Sequence, residues 1–489
     1  MKKQSLIVFI SLSVMMGLCN TNCKAEKMTG NASITSEYFN TIRAGKDNAQ
    51  LALFFAQMPK GGDIHHHYPG AVYAETYLDW ASRDYCLKID SLILKKNNGS
   101  CPGCISMEDL KKNTALFRTV LETWSDLNYS DHFHLQEQPD QHFFNTFGYF
   151  AEISNSNFRA GLKEIKERAK TENVQYIETM FASPDTKVCF RKTLIDSLVE
   201  FGTEKDIAAL NVVFTKLSES IRSEPAYKQS IDSYLDSLRS YHENIDDQDF
   251  TMRFQTYAYR NSSPDAVFRA LYSSFDAVAR DKSSLLVGVN ILGPENLFVA
   301  MKDYWLHMQM FHFLKRNFNN VKTSLHAGEL AMGMVKPEDL TYHIDEAVNM
   351  AGASRIGHGV DIPYEKNSFK ILKKMQSDKI AVEINLTSNE FILGIKGKDH
   401  PINIYNRSRV PIVICTDDAG VSRNNLTTEY VKLASRYDFT YGQIKEFVYN
   451  SIKYSFMNEK DKETVLKSLT FKFADFESNI ADFLAAGNR

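Results

Sequence analysis

Short apolar runs alternate with longer amphipathic stretches along most of this chain, and no other feature of the sequence constrains the fold as strongly. The runs have the length of buried strands, whereas the stretches between them have helical periodicity. We predict eight strands. The first is the histidine-rich segment at 61–70, and the others are Val174–Phe181, Phe250–Tyr257, Leu285–Leu292, Lys322–Ala327, Arg355–Val360, Ala381–Leu386 and Pro411–Thr416. This order predicts an α/β protein with a (β/α)₈ TIM-like barrel. A doubly wound open sheet is the alternative, but no Gly-x-Gly-x-x-Gly sequence follows an early strand.

The length of 489 residues suits one barrel with insertions. We predict a short N-terminal helical extension at 26–57 and the barrel at 58–489. A stretch rich in cysteine, asparagine and glycine predicts a loop-rich insertion after the first strand, at about 83–110. A helical tail follows the last strand. With 43% hydrophobic and 24% charged residues, the composition is that of a globular protein.

The first 25 residues have the pattern of a signal peptide. Lys2 and Lys3 precede an apolar run from Leu6 to Leu18, and a small residue, Ala25, offers a cleavage site. The run is too short to span a bilayer easily, which favours a cleaved signal peptide, and a retained membrane anchor is the alternative. We therefore expect an exported protein, periplasmic or extracellular, with no stable membrane insertion after cleavage.

A formal net charge of −3 argues against nucleic acid as a bulk electrostatic partner.

The cysteines outside the signal segment suggest a local disulfide. Cys101-Pro-Gly-Cys104 is compatible with a redox pair, half a zinc site or a local staple, and no second Cys-x-x-Cys completes a four-thiolate site. In an oxidising compartment a disulfide is the default, with Cys86 bonded to Cys101 or Cys104. Cys415 lies in an apolar run and is predicted to be a buried, inert thiol.

The segment Gly61–Gly70 contains three consecutive histidines on a predicted strand. Alternate residues of a strand point to the same face, so His65 and His67 project together while His66 points away. Two imidazoles about 7 Å apart along a strand can converge on one divalent ion.

Further metal-ligand residue types follow later strands, where barrel enzymes place their chemistry. They are His326 and Glu329, His358, and the pair Asp417-Asp418. Another strand ends at Gly293, whose backbone N–H can approach a ligand closely. Imidazoles together with a carboxylate suit zinc, with one position left for water.

These motifs resemble those of the adenosine deaminase family of metal-dependent hydrolases, over about residues 58–457. The matching segments are Met58-Pro-Lys-Gly61, His65-His-His67, His326-Ala-Gly-Glu329, Arg355-Ile-Gly-His-Gly359, Ser388-Asn389, His400-Pro401 and Thr416-Asp-Asp418. The Met-Pro-Lys-Gly lead-in, the secretory signal and the segment Asn450–Ser455 are most similar to the secreted, growth-factor-related branch.

The resemblance implies one Zn²⁺ per chain, held by four ligands: His65, His67, His326 and Asp417. It implies hydrolytic deamination of adenosine, and of 2′-deoxyadenosine, to the inosine product and ammonia by attack of zinc-bound hydroxide on C6. Glu329 would donate a proton to N1 and His358 would position the hydroxide. Asp418 would contact N7 of the purine, and the backbone N–H of Gly293 would meet N3.

One departure from the family's pattern keeps alternatives open. Pro69 occupies the position at which an aspartate of well-known members meets the ribose 5′-hydroxyl, so recognition of the sugar must differ. Deamination of another adenine-containing metabolite is therefore one alternative, and a catalytically silent extracellular nucleoside-binding or signalling protein is another. The aromatic segment His142–Phe147 is compatible with a cover over the nucleoside or with ordinary helix core. A homodimer is compatible with the sequence.

Overall fold

The computed structural model describes residues 30–81, 84–97, 99, 101–130 and 137–487. The predicted signal peptide, residues 1–25, lies outside this part of the chain. The strands are β1 (Gly61–His67), β2 (Tyr85–Lys88), β3 (Ile93–Lys96), β4 (Cys104–Ser106), β5 (Val174–Ala182), β6 (Thr251–Tyr259), β7 (Leu286–Leu292), β8 (Lys322–Ala327), β9 (Arg355–His358), β10 (Ala381–Ile384) and β11 (Ile412–Ile414).

Eight of these strands form the predicted barrel. They pair in parallel in the order β1-β5-β6-β7-β8-β9-β10-β11. The ring is joined where the end of β1 meets the chain after β11: the N–H of Asp417 donates to the carbonyl of His65 at 3.0 Å. The (β/α)₈ prediction is confirmed, and every predicted barrel strand is present.

Three of the barrel strands end earlier than predicted. The strands predicted at 355–360, 381–386 and 411–416 end at His358, Ile384 and Ile414. The backbone turns at the end of β9 and shortly after β11, since φ is 66° at His358 and 65° at Asp417. Positive φ is uncommon for residues other than glycine, and it marks the positions where the chain turns toward the site.

Helices cover the outside of the barrel and fill the long connections. They are α1 (Gly30–Ala44), α2 (Asn48–Gln57), α3 (Tyr68–Ala71), α4 (Ala74–Ala81), α5 (Met107–Lys112), α6 (Thr114–Thr123), α7 (Pro139–Ser156), α8 (Phe158–Thr171), α9 (Lys192–Glu204), α10 (Ile207–Ser223), α11 (Tyr227–His242), α12 (Pro264–Arg280), α13 (Phe298–Asn317), α14 (His343–Asp345), α15 (Ser368–Ser377), α16 (Leu386–Leu393), α17 (Ile402–Arg407), α18 (Leu426–Arg436), α19 (Tyr441–Lys453) and α20 (Glu459–Gly487). Two 3₁₀ turns, Pro337–Leu340 and Gly397–Asp399, and a π-helix, Glu346–Met350, complete the set.

The apolar spacing of the helices explains how they pack. On α12, Phe268, Leu271 and Phe275 recur at helical intervals and are fully buried. At the other end of the molecule, the ring of Phe54 on α2 lies 5.1 Å from that of Phe476 on α20. The N-terminal helices and the C-terminal tail therefore pack against each other. Within the described ranges, no helix is both long and apolar enough to cross a membrane.

The insertion after β1 contains more regular structure than the sequence predicted. β2 pairs antiparallel with β3 and with β4, so the stretch predicted to be loop-rich holds a three-stranded sheet. Strands this short lack a long alternating pattern, and pairing with each other supplies their hydrogen bonds.

The default disulfide assignment is wrong for this structure. Cys101 is bonded to Cys104, and Cys86 is a free, buried thiol. The N–H of Cys104 donates to the carbonyl of Cys101 at 3.0 Å, so a tight turn brings the bonded pair together. Cys415 is fully buried, as predicted.

Candidate metal centre and active site

Three histidines and one aspartate meet at the carboxyl ends of β1, β8 and β11. Nε2 of His67 lies 3.4 Å from Nε2 of His65, 3.3 Å from Nε2 of His326 and 3.2 Å from Oδ1 of Asp417. The three imidazoles each offer a nitrogen within 4.8 Å of the others. Parallel strands of a barrel end on one face, which is why residues so distant in sequence converge here. These four donors match a tetrahedral site for a divalent ion.

The strand alternation predicted for the histidine segment is confirmed. His65 and His67 face the cluster, whereas Nδ1 of His66 lies 2.9 Å from Oγ1 of Thr179, away from it. All three imidazoles are buried. His66 is therefore excluded from the ligand set by the pleat of β1.

A buried carboxylate orients His65. Oε2 of Glu383 lies 2.7 Å from Nδ1 of His65, and Oε1 accepts from Nε of Arg355 at 2.5 Å. Although burial opposes it, the Arg355 guanidinium lowers the pKa of Glu383 to about 2. An ionised Glu383 accepts the Nδ1–H of His65, so Nε2 is the nitrogen that faces the cluster and can bind a metal. A Cβ on Gly357 would lie 2.7 Å from this ring, so only glycine fits beside it.

An amide plays the same part for His326. Oδ1 of Asn290, on β7, lies 3.0 Å from Nδ1 of His326 and therefore fixes the proton on that nitrogen. Burial, followed by the charges of His65 and His67, lowers the pKa of His326 well below its usual range. A neutral imidazole with a free Nε2 is the form that binds a metal.

Glu329 lies beside the cluster in buried surroundings that favour its protonated form. Burial first, and then the neighbouring charges of Asp417 and Glu295, raise its pKa well above the usual range. Its backbone is held in place, because the carboxylate of Glu295 accepts the N–H groups of Gly328 at 3.1 Å and of Glu329 at 2.8 Å. Oε1 of Glu329 lies 3.6 Å from Nε2 of His358.

His358 occupies the end of β9 and belongs to a second group of potential metal ligands, with His65 and Asp417. Its Nε2 lies 3.7 Å from Oδ2 of Asp417 and has no hydrogen-bond partner among the described residues. Its Nδ1 lies 2.9 Å from the side-chain amide nitrogen of Asn389. Burial lowers the pKa of His358 to about 3, so the ring is neutral.

The cluster forms one end of a cavity of about 270 Å³. Phe143, Phe144 and Phe147 on α7 form its outer wall. The remaining walls come from the predicted strand-end residues and the β6 aromatics, and the full lining is His67, Pro69, Phe143, Phe144, Phe147, Tyr257, Tyr259, Leu292, Gly293, Pro294, His326, Glu329, His358, Asp417 and Asp418. Segment 142–147 was predicted to be either a cover over the ligand or ordinary helix core. In the structure it belongs to helix α7, and three of its rings line the cavity.

Asp418 faces the cavity, as the sequence predicted. Its Oδ1 is buried and has no partner among the described residues. A Cβ on Gly70 would overlap this carboxyl group, so glycine is required where α3 passes it. Gly293, with φ of 108°, belongs to the same cavity lining. The cavity therefore offers a carboxyl group and a backbone N–H to a ligand.

The sequence did not identify the residues that support the site. Glu383, Asn290 and Glu295 have no role in the sequence-based account, yet they hold His65, His326 and Glu329. Arg355 in turn holds Glu383. The signal that could have found Glu383 is a carboxylate inside the apolar run 381–386.

Comparisons with known proteins agree with this geometry. A family model described as adenosine deaminase matches residues 277–471, which contain all the site residues from His326 to Asp418. The adenosine deaminase of Clostridium perfringens is 23% identical over 273 residues, covering 56% of this chain and 75% of that relative.

Two solved structures share the fold. The N6-mAMP deaminase of Arabidopsis has a TM-score of 0.54 at 18% identity, covering 86% of this chain and 99% of its own. An amidohydrolase from Burkholderia ambifaria, solved with bound Zn, has a TM-score of 0.52 at 16% identity. The match covers 88% of this chain and 94% of the amidohydrolase.

Proposed function

Since the chain belongs to the adenosine deaminase family, we propose that it hydrolyses the 6-amino group of adenosine and 2′-deoxyadenosine, giving inosine or 2′-deoxyinosine and ammonia. One observation carries the proposal: three imidazoles and a carboxylate lie close together, with the buried carboxyl group of Glu329 beside them. A protein that only binds nucleosides needs no proton donor at that place.

The metal in this proposal is zinc, one ion per chain. His65, His67, His326 and Asp417 would hold it, and their donor set of nitrogen and carboxylate oxygen is typical of Zn²⁺. The bound Zn of the B. ambifaria neighbour supports this choice. The ion would lower the pKa of a coordinated water to about 7.

The chain's own residues supply the proton transfers. Glu329 is held protonated by burial, so it can give its proton to N1 as water adds to C6 of the purine. His358 lies next to Glu329 and can hold the incoming oxygen by a hydrogen bond. Asp418 and the N–H of Gly293 lie on the lining where they can bind N7 and N3 and so orient the ring.

The cavity favours a nucleoside over a nucleotide. Its described lining includes Glu329, Asp417 and Asp418 but neither lysine nor arginine. A phosphate bound there would meet carboxylates instead of the cations that usually hold it. The competing candidate is a 5′-nucleotide substrate, on the analogy of the N6-mAMP deaminase that shares the fold.

An ultraviolet assay of the purified protein with adenosine, 2′-deoxyadenosine, adenine and AMP tests the proposal. We expect turnover of the two nucleosides, its loss on chelation and its return with Zn²⁺. Preferential turnover of AMP would support the nucleotide candidate. Nucleoside binding without turnover in the zinc-loaded protein would support the silent-protein alternative.

Export remains part of the proposal, on the pattern of residues 1–25. N-terminal sequencing of protein recovered from outside the cytoplasm of the producing cell tests it, with cleavage after Ala25 expected. Recovery of the uncleaved chain in the cytoplasm would contradict it.

A further inference from the structure

A chain of buried hydrogen bonds runs from a backbone amide to the ring of His358. The N–H of Ile402 donates to Nδ1 of His400 at 3.2 Å, and Nε2 of His400 lies 3.1 Å from Oδ1 of Asn389. Nδ2 of Asn389 lies 2.9 Å from Nδ1 of His358. A second amide, Nδ2 of Asn385, lies 3.4 Å from the same nitrogen. The side chains of His400, Asn389 and His358 are all at most 2% exposed.

The direction of every bond follows from the first one. A backbone N–H can only donate, so Nδ1 of His400 must accept. Burial lowers the pKa of His400 to about 3, so this ring carries one proton, and that proton is on Nε2. Nε2 therefore donates to Asn389, whose carbonyl oxygen faces His400 and whose amide nitrogen faces His358. An amide nitrogen only donates, which leaves Nδ1 of His358 as the acceptor.

We propose that Asn389 and His400 are positioning residues that fix His358 as the tautomer protonated on Nε2. The cavity side of the ring then carries an N–H, and His358 acts on the reacting oxygen as a hydrogen-bond donor. The acceptors around that N–H fit this orientation: Oε1 of Glu329 at 3.6 Å and Oδ2 of Asp417 at 3.7 Å. Its consequence for turnover depends on the proposed deaminase function, whereas the tautomer itself does not.

The tautomer is measured directly by ¹⁵N NMR of zinc-loaded protein labelled with [¹⁵N]histidine. The His358 signals are assigned by their disappearance in His358→Gln. We expect a pyrrole-like Nε2 and a pyridine-like Nδ1 in the wild type. A pyrrole-like Nδ1 in the wild type would overturn the proposal, whether or not any substrate is turned over.

Variants at His400 separate positioning from packing. His400→Gln keeps an amide N–H that can donate to Asn389, whereas His400→Leu fills the space but lets the Asn389 amide reverse. We expect His400→Leu and Asn389→Leu to populate the other tautomer and to lower kcat about 10- to 100-fold, the usual range for such supporting residues. KM and zinc content should stay close to wild type, and His400→Gln should recover most of kcat.

If both His400→Leu and Asn389→Leu have the kcat and the His358 tautomer of the wild type, the positioning role is overturned. Equal losses in His400→Gln and His400→Leu would also overturn it, because packing alone would then explain the effect. If the wild type turns over none of the adenine compounds, the proposed function fails while the NMR result still decides the tautomer.

Discussion

The floor of the cavity (His65, His67, His326, Glu329 and Asp417) and its outer wall (Phe143, Phe144 and Phe147) are built in different ways. Each floor residue comes from a barrel strand end, and most are held by a further buried polar group such as Glu383, Asn290 or Glu295. The wall comes from one helix, α7, in the connection between β1 and β5, and its rings are held by other rings.

This contrast separates chemistry from substrate fit. The floor positions charges and protons, which requires a rigid scaffold and complete hydrogen bonding around each group. The wall offers apolar area, and its shape depends on packing along α7: Phe143 lies 5.2 Å from Phe144 and 5.9 Å from Phe147. Changes in the floor should therefore affect kcat and metal binding, and changes in the wall should affect KM.

Removing a floor ligand should have the largest effect. We expect His326→Ala to lose both bound zinc and all measurable turnover, because three donors remain where four are needed. Elemental analysis of the purified protein, alongside the ultraviolet assay, checks this. His66→Ala is the matched control: it removes a buried imidazole of the same strand that faces away, and it should keep its zinc.

Replacing Glu329, the proposed proton donor of the floor, should have the second largest effect. Glu329→Gln keeps the size and the hydrogen-bonding shape but cannot donate a proton to N1, so kcat should fall about 10²- to 10⁴-fold. Zinc content should match the wild type, since Glu329 is not among the grouped donors. Turnover close to wild type in this variant would refute the role assigned to Glu329.

A change in the wall should have a smaller effect of a different kind. Phe144→Ala removes apolar contact area, worth about 1–3 kcal/mol in a binding pocket, so KM should rise about 5- to 150-fold with kcat nearly unchanged. Steady-state kinetics with adenosine measures both constants. Tyr149→Ala is the control: this ring lies on the same helix but outside the cavity lining, so KM should not change.

The link between wall and floor should have the smallest effect. Nδ2 of Asn296, after β7, donates to Oδ2 of Asp140 at the start of α7 at 3.0 Å. We expect Asp140→Ala and Asn296→Ala each to raise KM about 2- to 10-fold, which corresponds to the free energy that one hydrogen bond contributes. A double-mutant cycle measures their coupling, and strictly additive effects would mean that this bond does not hold α7 over the cavity.

Much of the floor could be predicted from the sequence because its residues end recognisable strands. His326 and Asp417 each lie at the end of a predicted strand, and parallel strands in a barrel must bring such ends together. The segments Ser388-Asn389 and His400-Pro401 were recognised in the sequence, but their supporting role could not be predicted. Asn389 and His400 become neighbours only through the path of the chain between β10 and β11.

The wall was harder to predict for a physical reason. The rings of α7 that line the cavity and those that pack inward, such as Phe150, have the same chemical character and nearly the same spacing. Hydrophobic periodicity predicts that the segment is a helix, but it does not predict which face of the helix lines a substrate cavity. The three-stranded sheet of the insertion was missed because its strands are three or four residues long.

The most direct test of the account is anomalous X-ray diffraction from crystals of the zinc-loaded protein at the zinc absorption edge. The account predicts one strong peak, about 2.0–2.2 Å from Nε2 of His65, His67 and His326 and from an Oδ of Asp417. No peak at this position, or a peak only at the sulfur atoms of Cys86, Cys101 and Cys104, would contradict it.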